Sequence, residues 1–195
     1  MPKEHLSEYE EYRKPDVILE PFVGYKALNI EVDEKGEPQL VSPSFRYKWH
    51  TAEAVAENYD PRSRGVTSAG PGFYTRRTPE ILMKEGHWRS GTWPSVLAEM
   101  QVFGRDTIEE DIGFRSEKAM ISAIHEDSFT CESCEAKPAT KLIHRKKEEA
   151  PLLFCDECLN YVRNKYPKLK FHDSSLSDFF HKLAKRYDIQ LRKLI

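Results

Sequence analysis

The chain lacks the long apolar segments that mark membrane-spanning or exported proteins. No run of about 18 apolar residues occurs along its 195 residues, so we expect no membrane-spanning helix. The segment that begins at Met1 is charged and contains no apolar core, which argues against a signal peptide. We therefore expect a protein that is not secreted and that works in the cytoplasm.

Sequence motifs of the common catalytic classes are also missing. The chain contains no G-x-S-x-G, no H-E-x-x-H, no P-loop, no G-x-G-x-x-G and no protein-kinase signature. Its net charge of −2 gives no overall electrostatic preference for nucleic acid or membrane. These absences favour a protein that binds a partner over an enzyme, and they leave the enzyme question open.

Cysteine is scarce, but its four copies form two matched pairs. Cys131 and Cys134 make one C-x2-C motif, and Cys155 and Cys158 make a second, with 20 residues between the pairs. This spacing is typical of a tetrahedral zinc site in which four thiolates bind one ion. Because four thiolates leave no position for water, the pattern predicts one structural zinc ion rather than a catalytic one.

Other uses of these cysteines are alternatives at this point. Two disulfides would need an oxidising compartment, which nothing in the sequence indicates. Free thiols or an iron site would also account for four cysteines. A further possibility is that His144, which lies between the pairs, replaces one cysteine as a ligand.

The residues next to the cysteines predict short strands and a helix. Residues 142–143 and 152–154 are apolar and lie between the pairs, whereas residues 159, 162 and 166 follow the second pair at helical spacing. Two strands between the pairs and a helix from the second pair suggest a treble-clef or ribbon-like module. Three basic residues are placed to offset the thiolate charge: Lys137, Lys141 and Arg163.

The layout along the chain predicts the α+β class, with a short-stranded mixed or antiparallel sheet and flanking helices. We divide the chain into an N-terminal arm (1–20), an α+β domain (21–126), the four-cysteine module (127–168) and a C-terminal helix (169–195). If the module folds around its metal, chelation should unfold residues 127–166 and leave residues 20–124 largely folded.

Several element predictions depend on local patterns. Turn residues at 33–38 predict a β-hairpin, residues 51–58 a short helix, and Thr78-Pro79 the start of another helix. Residues 96–104 predict a central strand, and residues 116–124 fit a helix or a strand. From Ser175 an amphipathic helix of about 18 residues is expected, with Leu191 and Leu194 among its apolar positions.

Charge is distributed unevenly along the chain. Residues 1–126 carry 16 Lys and Arg against 22 Asp and Glu, whereas residues 127–195 carry 14 against 10. Solvated helix faces explain such basic runs, and a surface for nucleic acid or a protein partner is the alternative. The residues that would form this surface are Arg145, Lys146, Lys147, Arg163, Lys182, Lys185 and Arg186.

The region from residue 24 to residue 124 carries short motifs in a recognisable order. They are Gly24-Tyr25-Lys26, Tyr47-x-Trp49, Gly72-Phe73-Tyr74 and Gly113-Phe114-Arg115 followed by Glu117. In this order the chain resembles small uncharacterised proteins of actinobacteria and their phages. The resemblance implies a phage-related protein in the host cytoplasm, and it implies no particular chemistry.

A second, more distant resemblance is to the ADP-ribosyltransferase fold. Gly72-Phe73-Tyr74 is similar to a strand of its NAD site, and Glu117 takes the place of its late glutamate. This resemblance implies a nucleotide-cofactor enzyme with Tyr25, Tyr74 and Glu117 at the catalytic site. Our main expectation is a non-enzymatic zinc-containing binding or scaffold protein that contacts a protein, a nucleic acid or its own copies. A virion or assembly component is another alternative.

Overall fold

The structure is a computed structural model, and it describes residues 21–43, 46–56, 59, 72–84, 95–104, 107–126, 129–144 and 151–193. The N-terminal arm predicted over residues 1–20 lies outside these ranges. In chain order the elements are β1 (Phe22–Val32), β2 (Pro38–Ser42), β3 (Tyr47–Lys48), β4 (Glu53–Val55), β5 (Phe73–Arg76), α1 (Pro79–Lys84), β6 (Ser95–Phe103), β7 (Ile108–Glu110), β8 (Gly113–Ser116), β9 (Lys118–His125), β10 (Lys141–His144), β11 (Leu152–Phe154), α2 (Asp156–Lys165), β12 (His172–Ser175), α3 (Leu176–Tyr187) and β13 (Gln190–Arg192).

These elements confirm the α+β class. Ten strands form one sheet, and β11, β10 and β12 form a second sheet of three strands. Among the described residues every strand pairing is antiparallel except that of β13 with β9. None of the helices in this part of the chain is long and apolar enough to cross a membrane.

β1 lies in the middle of the large sheet. β1 pairs with β6 along one edge and with β5 along the other, β6 pairs with β9, and β5 pairs with β8. Only Glu117 separates β8 from β9. The strand order across this part of the sheet is therefore β9-β6-β1-β5-β8, and the chain joins the two outer strands directly through Glu117, although β8 and β9 are not paired with each other among the described residues.

The hairpin predicted at residues 33–38 is confirmed as the connection between β1 and β2. The Asp33 carbonyl accepts a hydrogen bond from the Gly36 amide at 3.0 Å, and the Asp33 amide donates to the Glu37 carbonyl at 2.9 Å. Gly36 has a φ of 82°, which a residue without a Cβ adopts readily. The predicted central strand is also confirmed, since β6 pairs with both β1 and β9.

The helix predicted over residues 51–58 is wrong where the structure describes it. Residues 53–55 form β4, which pairs with residues 118–120 of β9. Ala54 is buried while Glu53 and Val55 on either side of it are exposed, which is the alternation of a strand. Pairing with β9 thus overrides the helical propensity of Ala and Glu. The segment left open between helix and strand, residues 116–124, forms the end of β8 and most of β9.

The C-terminal helix begins as predicted and ends earlier. The Ser175 hydroxyl accepts a hydrogen bond from the Asp178 amide at 3.3 Å, which caps α3. Asp188 has a left-handed backbone with a φ of 53° and stops the helix after 12 residues instead of about 18. Leu191 then lies in β13, and Leu194 lies outside the described residues. Leu191 packs against the main core from β13, and an apolar residue at this position also fits the spacing of a longer helix. The apolar pattern alone therefore could not show where the helix ends.

One continuous buried cluster joins the two sheets. It contains Trp49, which directly follows β3, Ile121 of β9, Leu142 of the small sheet and Phe180 of α3. The apolar face of α3 is therefore covered by the protein's own core. The hydroxyl of Tyr187 strengthens this contact, because it donates to the Trp49 carbonyl at 2.7 Å and accepts from the Leu40 amide at 3.1 Å.

Candidate metal centre

The structure brings the four predicted cysteines together. Their sulfur atoms all lie within 4.8 Å of one another, and none of the four forms a disulfide. Cys131 and Cys155 are buried, Cys158 is half-buried and Cys134 is exposed. These four side chains form a site that is able to hold a metal ion.

A tight turn presents the first pair. The Glu135 amide donates to the Cys131 carbonyl at 2.9 Å, and Glu135 has a φ of 53° that reverses the chain after Cys134. The Cys131 amide donates to the Lys137 carbonyl at 2.8 Å and closes the turn. The amide of Glu132 donates to the Leu153 carbonyl at 2.9 Å, so the turn is attached to β11. The first pair is thereby held against the strand that leads to the second.

The second pair lies at the start of α2. Cys155 is the N-cap residue, with an extended backbone, and its side chain makes no capping hydrogen bond. Its thiol is therefore available to the cysteine cluster, whereas a Ser or Asp in this position would normally satisfy a backbone amide. Cys158 follows in the first helical turn. Both cysteines of the second pair thus lie at the N-terminus of α2.

Hydrogen bonding distributes negative charge unevenly among the thiols. Burial raises the pKa of Cys131, but amide hydrogen bonds from Cys155, Cys134 and Ser133 outweigh burial and lower that pKa to about 6. A hydrogen bond with Ser133 lowers the pKa of Cys158, and the neighbouring thiols and burial together raise it to about 12. Because thiolate is the form that binds a metal, metal binding at this site must displace the protons that remain on the four thiols.

The three cations predicted to offset thiolate charge also pair with carboxylates. Lys137 forms an ion pair with Glu157 at 2.5 Å and Lys141 one with Asp156 at 3.7 Å. The hydrogen bond that Lys137 donates to the Glu157 carboxylate raises the pKa of Lys137 most, and the thiols of Cys155 and Cys134 add to this rise. Lys137 is thus the cation that faces the sulfur cluster. Arg163 forms an ion pair with Asp173 on β12.

His144 lies at the far end of β10 from the cysteines. Residue 141 pairs with residue 154, next to Cys155, and residue 144 is three positions further along the strand. Three residues of a strand span roughly 10 Å. This backbone placement favours the four cysteines alone as ligands.

The other predicted binding residues are only partly within the described part of the chain. Arg145, Lys146 and Lys147 lie outside the described residues. Arg186 donates to the Asp33 carboxylate at 2.9 Å and to the Pro38 carbonyl at 2.7 Å, so it joins α3 to the hairpin. Lys182 and Lys185 are exposed on α3.

The residues of the ADP-ribosyltransferase-like alternative lie in the large sheet. Tyr25 pairs with Arg76, two residues from Tyr74, so both tyrosines lie on one face of neighbouring strands. Burial and the Glu99 carboxylate raise the pKa of Tyr25. Glu117 lies between β8 and β9, where its carbonyl accepts a hydrogen bond from the Ala56 amide at 2.8 Å.

One feature of α2 was missed by the sequence patterns. Tyr161 and Tyr166 are exposed, and Lys165 lies against both rings. The signal was present, because Tyr161 and Lys165 are four residues apart and share one helix face. The apolar positions of α2 do not reveal this feature, because the helical spacing includes Tyr166 among the apolar residues.

Comparisons with known proteins identify no relative. No family model matches the chain, and no curated protein or solved structure is significantly similar to it.

Proposed function

We propose that this chain is a non-enzymatic, zinc-containing binding or scaffold protein, of phage-related origin, in which Cys131, Cys134, Cys155 and Cys158 hold one structural zinc ion. The observation that carries the proposal is the cluster of four sulfur atoms within 4.8 Å of one another. In a tetrahedral site with zinc–sulfur bonds of about 2.3 Å, the sulfurs lie roughly 3.8 Å apart. The observed cluster needs only a small contraction to reach that geometry.

The order of elements around the cysteines supports zinc over other uses. A tight turn carries the first pair, β10 and β11 form a hairpin, and the first turn of α2 carries the second pair. This is the order of a treble-clef zinc module. Thiolate ligands in a tetrahedral set suit zinc, and iron is the alternative for the same geometry.

A structural role follows from the ligand set. Four protein ligands fill the coordination sphere of zinc, so no position is left for a substrate or an activated water. The ion would fix the turn, the hairpin and α2 relative to one another, in a sheet of three short strands. The chemistry that zinc supplies here is the cross-linking of these elements, and the surface it stabilises is available for a partner.

Metal content is the direct test of this proposal. We expect one zinc per chain by elemental analysis of protein purified without added metal, with native mass spectrometry giving the stoichiometry and oligomeric state. Cobalt substitution should give the charge-transfer absorption of thiolate ligation. Cys134→Ser should lose stoichiometric metal, whereas Ser133→Ala in the same turn should keep it. A metal-free protein, or a Cys134→Ser variant with full zinc content, would overturn the proposal.

A further inference from the structure

The solvent-facing side of α2 carries large side chains that the protein does not bury. Tyr161 is 64% exposed, Tyr166 is 47% exposed, and Leu169 just beyond the helix is 57% exposed. Isolated exposed apolar residues are common on protein surfaces, but three within nine residues are concentrated in one place. Unlike the apolar face of α3, this surface is not covered by any residue within the described part of the chain.

A lysine lies between the two rings. The Nζ atom of Lys165 is 5.6 Å from the ring centroid of Tyr161 and 5.5 Å from that of Tyr166. Tyr161 and Lys165 meet because they are one helical turn apart, and Tyr166 follows at the helix C-cap. The cation holds both rings at the surface through cation–π contacts. We call Tyr161, Lys165, Tyr166, Lys168, Leu169 and Lys170 the α2 patch.

The stretch of sequence that carries the α2 patch has charge of one sign. From residue 158 to residue 172 the sequence has four Lys and Arg and no Asp or Glu. Of these cations, Arg163 pairs with Asp173, which leaves the three lysines of the patch as its positive charge. The nearest acidic residues of α2, Asp156 and Glu157, lie at its other end and pair with Lys141 and Lys137.

We propose that the α2 patch binds single-stranded nucleic acid. Exposed aromatic rings stack on bases of any sequence, and interleaved lysines contact the phosphates between them. A duplex hides the faces of its bases within the stack, so the two tyrosines would have no partner there. An acidic protein segment would satisfy the lysines, but it would leave the two exposed rings without a matching group.

This inference rests on the proposed function, because a bound metal would hold the first turn of α2 in place. It names the partner class that the sequence left open between protein and nucleic acid. It also moves the contact surface from α3, where Lys182 and Lys185 were expected to contribute, to α2 and the turn that follows it.

Fluorescence anisotropy with the full chain tests the proposal. We expect a fluorescein-labelled 12-mer of deoxythymidine, and the same length of oligouridine, to bind with a Kd of about 1–100 μM at low salt. The logarithm of the association constant should fall with the logarithm of salt concentration with a slope of about −2, because each of three phosphate contacts contributes about 0.7. A duplex of the same length should bind at least about fivefold more weakly.

Paired variants separate stacking from charge. Y161L/Y166L removes both rings and should weaken binding at least about fivefold, whereas Y161F/Y166F keeps the rings and should bind within about twofold of the original protein. K165Q/K168Q should weaken binding and reduce the salt slope. K182Q/K185Q, which changes the charge equally on α3, should leave both unchanged.

Three results would overturn the proposal. One is no binding up to about 1 mM oligonucleotide. A second is an unchanged affinity in Y161L/Y166L. The third is a loss of affinity in K182Q/K185Q as large as that in K165Q/K168Q. Either of the last two results would indicate a general polyanion surface or a site for an acidic protein. Zinc content is measured on every sample, because a metal-free but folded chain that binds through the tyrosines would refute the zinc proposal and support this one.

Discussion

Gly113 packs so closely against Thr75 that a Cβ atom on the glycine would lie 1.8 Å from the Thr75 carbonyl oxygen. Gly24 approaches Thr75 on the neighbouring strand, where a Cβ would lie 2.3 Å from its Oγ1 atom. Thr75 of β5 is therefore held between the two neighbouring strands, β1 and β8. The glycines of the Gly24-Tyr25-Lys26 and Gly113-Phe114-Arg115 motifs thus have a structural role in packing.

Gly113→Ala should destabilise the protein by more than about 3 kcal/mol, because the clash is with backbone that cannot move without separating β5 from β8. Urea unfolding followed by far-UV circular dichroism measures the change. Gly36→Ala is the matched control. Its added Cβ meets nothing within 4 Å, so only its φ of 82° is unfavourable, at a cost of about 1 kcal/mol.

Double-mutant cycles with Thr75 distinguish the roles of Gly24 and Gly113. Gly24→Ala meets the side chain of Thr75, so adding Thr75→Gly should restore part of the lost stability. Gly113→Ala meets the main chain of Thr75, so the same second substitution should not help it. Equal rescue of both variants would contradict the close approach of β8 to the backbone of β5.

Tyr187→Phe should cost about 1–3 kcal/mol of unfolding free energy. The substitution keeps the ring but removes the hydroxyl that donates to the Trp49 carbonyl and accepts from the Leu40 amide. Both backbone groups would then be buried without this partner. Thermal unfolding measures the loss, and Tyr161→Phe on the exposed face of α2 should change stability by less than about 0.5 kcal/mol. Similar values for the two variants would show that α3 is not attached through this hydroxyl.

The cysteine site was predictable because its chemistry is local. Two residues between cysteines determine which side chains reach one ion, whatever the rest of the fold does. The turn at Gly36 and the cap at Ser175 are equally local, since each depends on one residue and its next three or four neighbours.

The elements that could not be predicted depend on partners distant in sequence. β4 is a strand because Ala54 packs beside β9, more than 60 residues later. β13 forms because Asp188 ends α3 and the chain that follows pairs with residues 123–125 of β9. The order of strands in the large sheet has no local signal at all. The α2 patch was hidden for another reason, since the apolar spacing of a helix does not show which of its aromatic residues is exposed.

If the four cysteines hold the proposed zinc ion, its removal should destabilise the whole protein rather than the cysteine module alone. The separate unfolding of residues 127–166 was expected from the sequence, but Leu142 and Leu153 belong to the same buried cluster as Ile121 and Phe180. We now expect a strong chelator to lower the melting temperature of a single transition by about 10 °C or more. Hydrogen exchange should show β9 losing protection together with β10. Two separate transitions would contradict this expectation.

Lys26 should make stability increase with pH between about 8 and 10. Its side chain lies on the core-facing side of β1 with Leu28, its ammonium donates to the Tyr74 carbonyl at 3.0 Å, and burial first and Arg76 second lower its pKa to about 8. The unfolded chain takes up its proton nearer 10.5, so the folded state bears a cost that is complete below pH 8. As pH rises from 8 towards 10.5 the unfolded chain loses its proton as well, and the cost disappears.

Lys26→Met removes this cost and leaves the Tyr74 carbonyl without its donor. We expect the variant to be about 1–2 kcal/mol more stable than the original protein at pH 7, and this advantage to be lost and reversed by pH 10, where most of the cost has gone and the missing hydrogen bond remains. Urea unfolding of both proteins at pH 7, 8, 9 and 10 measures the difference in their unfolding free energies. The titration of other groups affects both proteins equally and cancels in this difference. Lys182→Met, on the exposed face of α3, should show no pH-dependent difference. A variant that is less stable than the original protein at pH 7 would mean that the hydrogen bond to Tyr74 outweighs the cost of enclosing the charge.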